Sequence, residues 1–267
     1  MRKLQWGEFA HTDFADIDPM RTIAVLPTAA HEQHGPHLPV SVDTEINLGM
    51  LRTVATQLPE DLDIRILPVQ AIGKSNEHLH AAGTLTLPAD LTIRLWVEIG
   101  RSVARAGVRK IVIANSHGGN LDIIGIVARE LRVELGMLAV KCQWMGFGTP
   151  DGLFDARERQ YGIHGGDIET SLMLHFRPEL VDMAKAADFR STAEDMQDFA
   201  HLRPTGAAAY GWIASDLNPA GVVGNAAAAT AEKGRAVAEH QAEGFIALLR
   251  DVARFDLERF GAFGSGS

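Results

Sequence analysis

The sequence predicts an α/β fold in which helices cover both faces of a mostly parallel sheet. Short apolar runs alternate along the chain with longer segments whose apolar residues recur at helical spacing, which is the pattern of repeated βαβ units. The chain has 267 residues, of which 46% are hydrophobic and 22% charged, as is ordinary for a globular protein. We expect one domain over residues 1–263 and a flexible tail over 264–267.

Each element of this fold follows from a local pattern. The apolar run over residues 22–26 ends at Pro27 and predicts a buried strand. Apolar residues at helical spacing from Ile46 to Leu58 predict the first helix. The same criteria predict strands over 64–69, 110–114 and 137–144, and helices over 91–106, Leu121–Leu135 and Asp167–Phe176. Residues 225–255 predict a long Ala-rich helical region that is broken at Gly234 or Gly244.

Composition excludes several classes of function. The formal net charge is −9 and no basic block is present, which disfavours nucleic acid as a partner. No apolar stretch approaches the length of a membrane span, and no apolar signal segment follows the N-terminus. Cys142 is the only cysteine, so an intramolecular disulfide and a cysteine-rich zinc site are excluded. We expect a cytoplasmic protein that contacts neither nucleic acid nor membrane.

The first polar cluster follows the first predicted strand and holds three His, one Glu and one Asp within residues 31–43. Glu32 and His34 are two residues apart, so in extended backbone their side chains project to the same side. A carboxylate beside an imidazole forms half of a site for a first-row metal, and Asp43 can return as a bridging carboxylate. A His-rich surface loop is the alternative interpretation.

The second polar cluster, residues 115–120, follows the strand predicted over 110–114. Gly118 and Gly119 come directly after His117 and allow the backbone to approach a ligand closely. The helix that begins near Leu121 directs its N–H groups at the same place, which suits an anion or a developing oxyanion. The alternative is a tight turn in which Asn120 caps that helix.

The third polar cluster places His164 just before a helix whose first turn holds Asp167 and Glu169. Both acids complement the positive end of the helix dipole, and this alone explains Asp167. A functional interpretation makes His164 a proton donor and Glu169 a metal ligand or general base. A fourth polar segment, Gly73 to His80, is either a gate over a substrate or a polar turn, and the sequence leaves this open.

Three sequence segments together resemble the creatininase (creatinine amidohydrolase) family. They are LPTAAHEQHGPHLPVSVD over 26–43, ANSHGGN over 114–120 and HGGDIETS over 164–171, and they occur in the family's order across nearly the whole chain. The resemblance implies a three-layer αβα domain with two divalent metal ions at the strand ends. It also implies a homo-oligomer, with a hexamer favoured. Ligands with nitrogen and oxygen donors accept Zn, Mn or Fe, so the sequence does not fix which metal is bound.

The resemblance also assigns roles by position in this sequence. Glu32 and His117 match the ligands of one metal, His34 matches a ligand of the other, and Asp43 matches the bridging carboxylate. His164 matches the active-site histidine of the family. The residues themselves, apart from the resemblance, predict substrate contact or orientation of the ligands for His37, Gly118, Gly119, Asn120 and Trp212.

Two departures from the family pattern bear on the substrate. Members that hydrolyse creatinine carry Glu at the position of Gly119 and Trp at the position of Gln160. A ligand of the second metal must then come from elsewhere, and Glu169 is the expected replacement. The HGGN form also resembles that of the formamidopyrimidine-nucleotide deformylases and of the peptide-trimming enzyme of mycofactocin maturation.

The predicted function is a metal-dependent amidohydrolase that cleaves a non-peptide or cyclic C–N bond of a small molecule. The attacking species is a hydroxide bound by the metals, since a water between two divalent ions ionises near neutral pH. His164 would supply a proton to the departing amine. Alternative activities are deformylation of a formamidopyrimidine-type compound and hydrolysis of a cyclic ketone or lactone. A metal-stabilised assembly subunit without catalysis is the alternative from another class.

Overall fold

The computed structural model describes residues 2–261, so the predicted tail over 264–267 lies outside the described residues. Within these described residues, the central sheet has four parallel strands in the order β2-β1-β3-β4. The strands are β1 (Ile23–Thr28), β2 (Ile64–Ile66), β3 (Lys110–Asn115) and β4 (Leu138–Gln143). The predicted parallel sheet is confirmed, although β2 ends at Ile66 and not at residue 69.

Helices cover both faces of this sheet, which confirms the αβα arrangement. The helices are α1 (Val42–Gln57), α2 (Ala89–Arg105), α3 (Leu121–Leu135), α4 (Ala156–Tyr161), α5 (Asp167–Phe176), α6 (Ala214–Leu217) and α7 (Ala231–Arg254). One buried apolar cluster contains Val25 together with residues of α1, α5 and α7, and a second contains Ala24 with residues of α2 and α3. Successive strand residues thus enter opposite cores, as the pleat of a strand requires.

Two short strands, β5 (Asp188–Phe189) and β6 (Gly224–Asn225), form a separate antiparallel pair that the sequence patterns did not predict. Within residues 2–261, no helix combines the length and the apolar character that a membrane crossing requires.

Helix α7 is continuous from Ala231 to Arg254, so the predicted break at Gly234 or Gly244 is wrong. Both glycines instead allow close packing. A Cβ atom at Gly234 would collide with the backbone oxygen of Ser171 in α5, and one at Gly244 would lie 2.8 Å from the ring of Phe147. Glycine weakens a helix in isolation, but here it removes the side chain that would hold α7 away from its neighbours.

Three loops meet at the edge where β1, β2 and β3 end, and the buried side chain of Asn120 joins them. Its Nδ2 donates to the backbone oxygen of Ala29 after β1 (3.0 Å) and to Asn115 Oδ1 at the end of β3 (3.1 Å). Its Oδ1 accepts a hydrogen bond from the backbone nitrogen of Lys74, in the loop after β2 (3.0 Å). The carboxyl ends of parallel strands are the usual place for a binding site in such folds.

We predict that Gly234→Ala destabilises the protein although alanine is the better helix former. The added methyl group would overpack the contact between α7 and α5, at a cost of about 1–3 kcal/mol. Gly125→Ala in α3 is the matched control, because the nearest atom to its Cβ would be Lys141 Nζ at 3.3 Å, the end of a flexible side chain. Urea unfolding should show a lower free energy of unfolding for Gly234→Ala than for the wild type, and an unchanged one for Gly125→Ala. Equal stability of the two variants would contradict the packing role.

Candidate metal centre

Acidic and imidazole side chains converge at the edge where the parallel strands end. Glu32 and His34 follow β1, Asp43 lies in the first turn of α1, His117 follows β3, and Glu169 lies in the first turn of α5. The first four residues are buried, and the Glu169 side chain is 19% exposed. The fold therefore brings together all five side chains that the sequence analysis proposed as metal ligands.

Asp43 lies between two different imidazoles. Its Oδ1 is 3.9 Å from His34 Nε2, and its Oδ2 is 3.5 Å from His117 Nδ1. On one side, Glu169 Oε2 lies 3.8 Å from His34 Nε2; on the other, Glu32 Oε2 lies 3.3 Å from His117 Nδ1. One carboxylate thus faces two half-sites through its two oxygens, which is the arrangement that a bridging ligand needs.

The backbone orients both imidazoles. His34 Nδ1 hydrogen-bonds the backbone oxygen of Glu32 (3.0 Å), and His117 Nε2 hydrogen-bonds the backbone oxygen of Lys74 (2.9 Å). A carbonyl oxygen only accepts, so each of these ring nitrogens carries the hydrogen. The other nitrogen of each ring is thereby directed at the carboxylates, as in the histidine ligands of metal sites.

Three buried polar atoms of this cluster accept no hydrogen bond from any group within residues 2–261: Glu32 Oε2, His34 Nε2 and Asp43 Oδ2. Such atoms are rare in folded proteins because desolvation without a partner is costly. All three face the space between the side chains of the cluster. Imidazole nitrogens and carboxylate oxygens in this arrangement fit a first-row divalent metal.

Burial and mutual charge shift the pKa values of the cluster strongly. Burial raises the pKa of Asp43 well above its usual value, and the charge of Glu32 adds to this shift. Burial lowers the pKa of His34 well below its usual value. Burial also opposes protonation of His117, but the charges of Glu32, Asp43 and Glu77 prevail and raise its pKa to about 10. Carboxylates in this confined space repel one another, and a bound cation would relieve that repulsion.

Glu77 and His78 complete the cluster, and the sequence analysis did not include them among the site residues. His78 Nε2 lies 3.3 Å from Glu32 Oε1, and Glu77 Oε1 lies 3.6 Å from His117 Nε2. Ligand atoms of Glu32, Glu77 and His117 all lie within 4.8 Å of one another, as do those of a second group, His34, Asp43 and Glu169. The signal in the sequence was an adjacent Glu-His pair in the loop after β2, a strand that ends at the same edge.

His164 lies against the cluster and borders the open space above it. Its ring packs against those of His34 and His78, with centroids 4.1 and 4.4 Å apart. Its Nε2 donates to the backbone oxygen of Gln33 (2.8 Å), and its Nδ1 is 3.6 Å from Glu32 Oε1. An imidazole in this position can transfer a proton to or from a group bound beside the cluster.

A cavity of about 500 Å³ opens over this cluster. Glu32, His117 and His164 lie at its polar side, and its apolar wall is formed by Leu121, Ile163, Tyr210, Trp212 and Ile213. Gly118 and Gly119 also line the cavity. Gln160 is exposed on α4 and does not belong to the cavity lining.

Two residues expected at the site lie behind it. His37 is buried, and its Nε2 lies within hydrogen-bond distance of the Gly165 backbone oxygen (3.1 Å) and of Thr170 Oγ1 (3.0 Å). His37 therefore connects the loop after β1 to the segment that leads into α5 by hydrogen bonds. Asn120 joins three loops, as described above, and makes no side-chain hydrogen bond that caps α3.

A comparison with known protein families assigns the chain to a family. The family profile described as creatinine amidohydrolase matches residues 7–249. The chain belongs to the creatininase family. It is 34% identical over 238 residues to the mycofactocin precursor peptide peptidase of Mycobacterium ulcerans (strain Agy99), covering 86% of each chain. It is 27% identical over 265 residues to the creatinine amidohydrolase of Pseudomonas putida, covering 93% of this chain and 95% of that one.

Solved structures agree with the creatininase assignment at the level of the fold. A crystal structure of a Bacteroides fragilis protein superposes with a TM-score of 0.77 at 24% identity, covering 96% of this chain and 99% of that one. A structure described as a Mn creatininase has a TM-score of 0.75 at 24% identity, and covers 95% of this chain and 100% of that one. A creatininase mutant described as Zn-Zn type has a TM-score of 0.74 at 24% identity, and covers 96% of this chain and 100% of that one.

Gly119 is required by the close approach of two loops in this member of the creatininase family. A Cβ atom there would lie 2.5 Å from the Lys74 backbone oxygen and from His117 Nε2, and would collide with Glu77 Oε1. A Cβ atom at Gly118 would meet nothing within 4 Å. The absence of a side chain at position 119 thus leaves the space that Glu77 enters.

We predict that Gly119→Ala lowers the unfolding free energy of the metal-free protein by about 1–3 kcal/mol, because it overpacks the contact between these loops. Gly118→Ala should stay within about 0.5 kcal/mol of the wild type. Parallel urea titrations in the presence of a chelator measure both effects. A Gly119→Ala protein as stable as Gly118→Ala would show that the loops do not need this glycine.

Proposed function

We propose that this chain is a metal-dependent amidohydrolase with two divalent ions per subunit. His34 and Glu169 would hold one ion, Glu32 and His117 the other, and Asp43 would be shared by both. The observation that carries this proposal is the position of Asp43, whose two oxygens face His34 and His117 separately. The Mn creatininase and the Zn-Zn creatininase among the similar structures support Zn and Mn as the first metals to test.

Ions bound in this cluster would supply hydroxide near neutral pH for attack on an amide carbonyl. The departing nitrogen then needs a proton, and His164 is the proposed donor because it borders the cavity beside the cluster. Gly118 and Gly119 carry no side chains, so a substrate can approach their backbone in the cavity. Their amides are the proposed donors to the developing oxyanion, a contribution of about 3–4 kcal/mol for one well-placed donor.

For the substrate, we favour a peptide amide over creatinine. The Mycobacterium ulcerans relative, named as a peptide peptidase, is 34% identical to this chain, against 27% for the Pseudomonas putida creatinine amidohydrolase. The cavity of about 500 Å³ and its apolar wall suit a group larger than a single small ring. The non-peptide or cyclic C–N bond expected from the sequence stays a prediction, with the Pseudomonas putida relative in its favour.

The proposal is tested by hydrolysis of a substrate panel that contains short peptides, cyclic amides and formamides. Activity should require Zn or Mn, disappear with a chelator and return on reconstitution. His164→Ala should lower kcat about 100-fold to 10,000-fold, the range of general acid–base catalysis, with metal content unchanged. The matched control is His80→Ala, since His80 is exposed and does not line the cavity; its kcat should equal that of the wild type.

The panel separates the competing interpretations. Cleavage of peptides with no turnover of cyclic amides supports the substrate class proposed here, and the reverse result supports the small-molecule prediction. If His164→Ala cleaves as fast as His80→Ala, His164 is not the proton donor. If the metal-loaded wild type cleaves no member of the panel, the alternative of an assembly subunit without catalysis is favoured.

A further inference from the structure

Among residues 2–261, one side chain with a permanent positive charge lines the cavity. Of the described residues that line it, Lys74 is the only lysine or arginine. The remaining polar lining consists of carboxylates, imidazoles and neutral groups, including Glu32, Glu77 and His164. A lone ammonium in such a cavity is therefore a feature that the metal cluster does not explain.

The backbone of Lys74 is fixed directly beside the cluster. Its carbonyl oxygen accepts a hydrogen bond from His117 Nε2 (2.9 Å), and its nitrogen donates to Asn120 Oδ1 (3.0 Å). Gly119 makes this approach possible, because a side chain at that position would strike the same carbonyl oxygen. His117 and Asn120, both in the loop after β3, therefore fix the backbone from which the Lys74 side chain enters the cavity lining.

The ammonium group of Lys74 has no acidic partner among residues 2–261. Its Nζ donates a hydrogen bond to Oδ1 of the neutral Asn76, which holds the group at the cavity. An ammonium has three donors, so two remain for a ligand. A carboxylate bound there would form a charge-assisted hydrogen bond with this ammonium, which is about twice as strong as one between neutral groups.

We propose that Lys74 is a specificity residue that binds a carboxylate of the substrate. The substrate class is an amide with a free carboxylate near the scissile bond and an apolar side chain, as in the C-terminal end of a peptide. The carboxylate pairs with Lys74, while the apolar group contacts the wall formed by Ile163, Tyr210, Trp212 and Ile213. This inference rests on the proposed amidohydrolase function and adds the recognition of charge to it.

The test is a binding measurement that does not depend on turnover. 3-Phenylpropanoic acid and 3-phenyl-1-propanol are similar in shape, differ in charge and contain no amide bond, and both are titrated calorimetrically into the metal-loaded protein. The wild type should bind the acid more tightly than the alcohol. In Lys74→Met, the ratio of the two affinities should fall about tenfold to a hundredfold, the contribution of a hydrogen bond between charged groups.

Two further variants make the result specific. Lys74→Arg keeps the charge and should retain most of the preference for the acid. Lys185→Met removes the same charge from an exposed site, where Lys185 pairs with Asp182, and should leave the ratio as in the wild type. Metal content is measured on every variant, because a lost ion would also weaken binding of an acid.

The outcomes distinguish this inference from the proposed function. If the acid preference persists in Lys74→Met, the carboxylate binds the metals or another group, and the inference is overturned. A wild type without any acid preference overturns it as well. If the wild type prefers the acid but cleaves no amide in the substrate panel, the binding inference stands and the proposed hydrolysis fails.

Discussion

The architecture of this site depends on the burial of one carboxylate, Asp43, between two imidazoles. A buried acid without a hydrogen bond to Oδ2 is costly, and burial together with the Glu32 charge raises its pKa. The residue is nevertheless held firmly, because its backbone oxygen accepts a hydrogen bond from Ser116 Oγ (2.8 Å) after β3. Two cations that share Asp43, one on the side of His34 and one on the side of His117, would offset the cost of burying this carboxylate.

The surrounding fold explains how such a cluster is tolerated. Buried amides join the ends of the strands: Asn47 Nδ2 in α1 donates to the backbone oxygens of Thr28 and Ala114, each at 2.9 Å, and Asn120 connects the loops that follow. Each of these buried amide nitrogens is therefore hydrogen-bonded within the protein. Rigid support of this kind keeps ligands in position when repulsion between them would push the loops apart.

The sequence predicted those features that depend on local pattern. The bounds of α3 and α5 agree with the prediction because apolar periodicity and a terminating Gly136 or Pro178 define them locally. The ligand set came together as expected because parallel strands place their carboxyl ends at one edge.

The features that the sequence did not predict depend on tertiary contacts. Gly234 taken alone indicates a helix break. In the fold, its missing side chain allows the backbone of α5 to pack against α7, and no local sequence pattern predicts this contact. Glu77 lies at the cluster because the loop after β2 crosses above Gly119, and His37 lies behind the cluster because its loop turns toward α5. The side-chain types of Glu77 and His37 are those of metal ligands and proton-transfer groups. The direction in which each side chain points depends on contacts between loops, so it could not be predicted from the sequence.

The most direct test of the account is the metal content per subunit, measured by elemental analysis after reconstitution with Zn or Mn and gel filtration. We predict about two equivalents in the wild type, as in other two-metal sites, about one in Glu169→Ala, and loss of both in Asp43→Ala. Retention of the wild-type content in Asp43→Ala would contradict the bridging role of this residue. A wild type that binds no metal would contradict the metal centre itself.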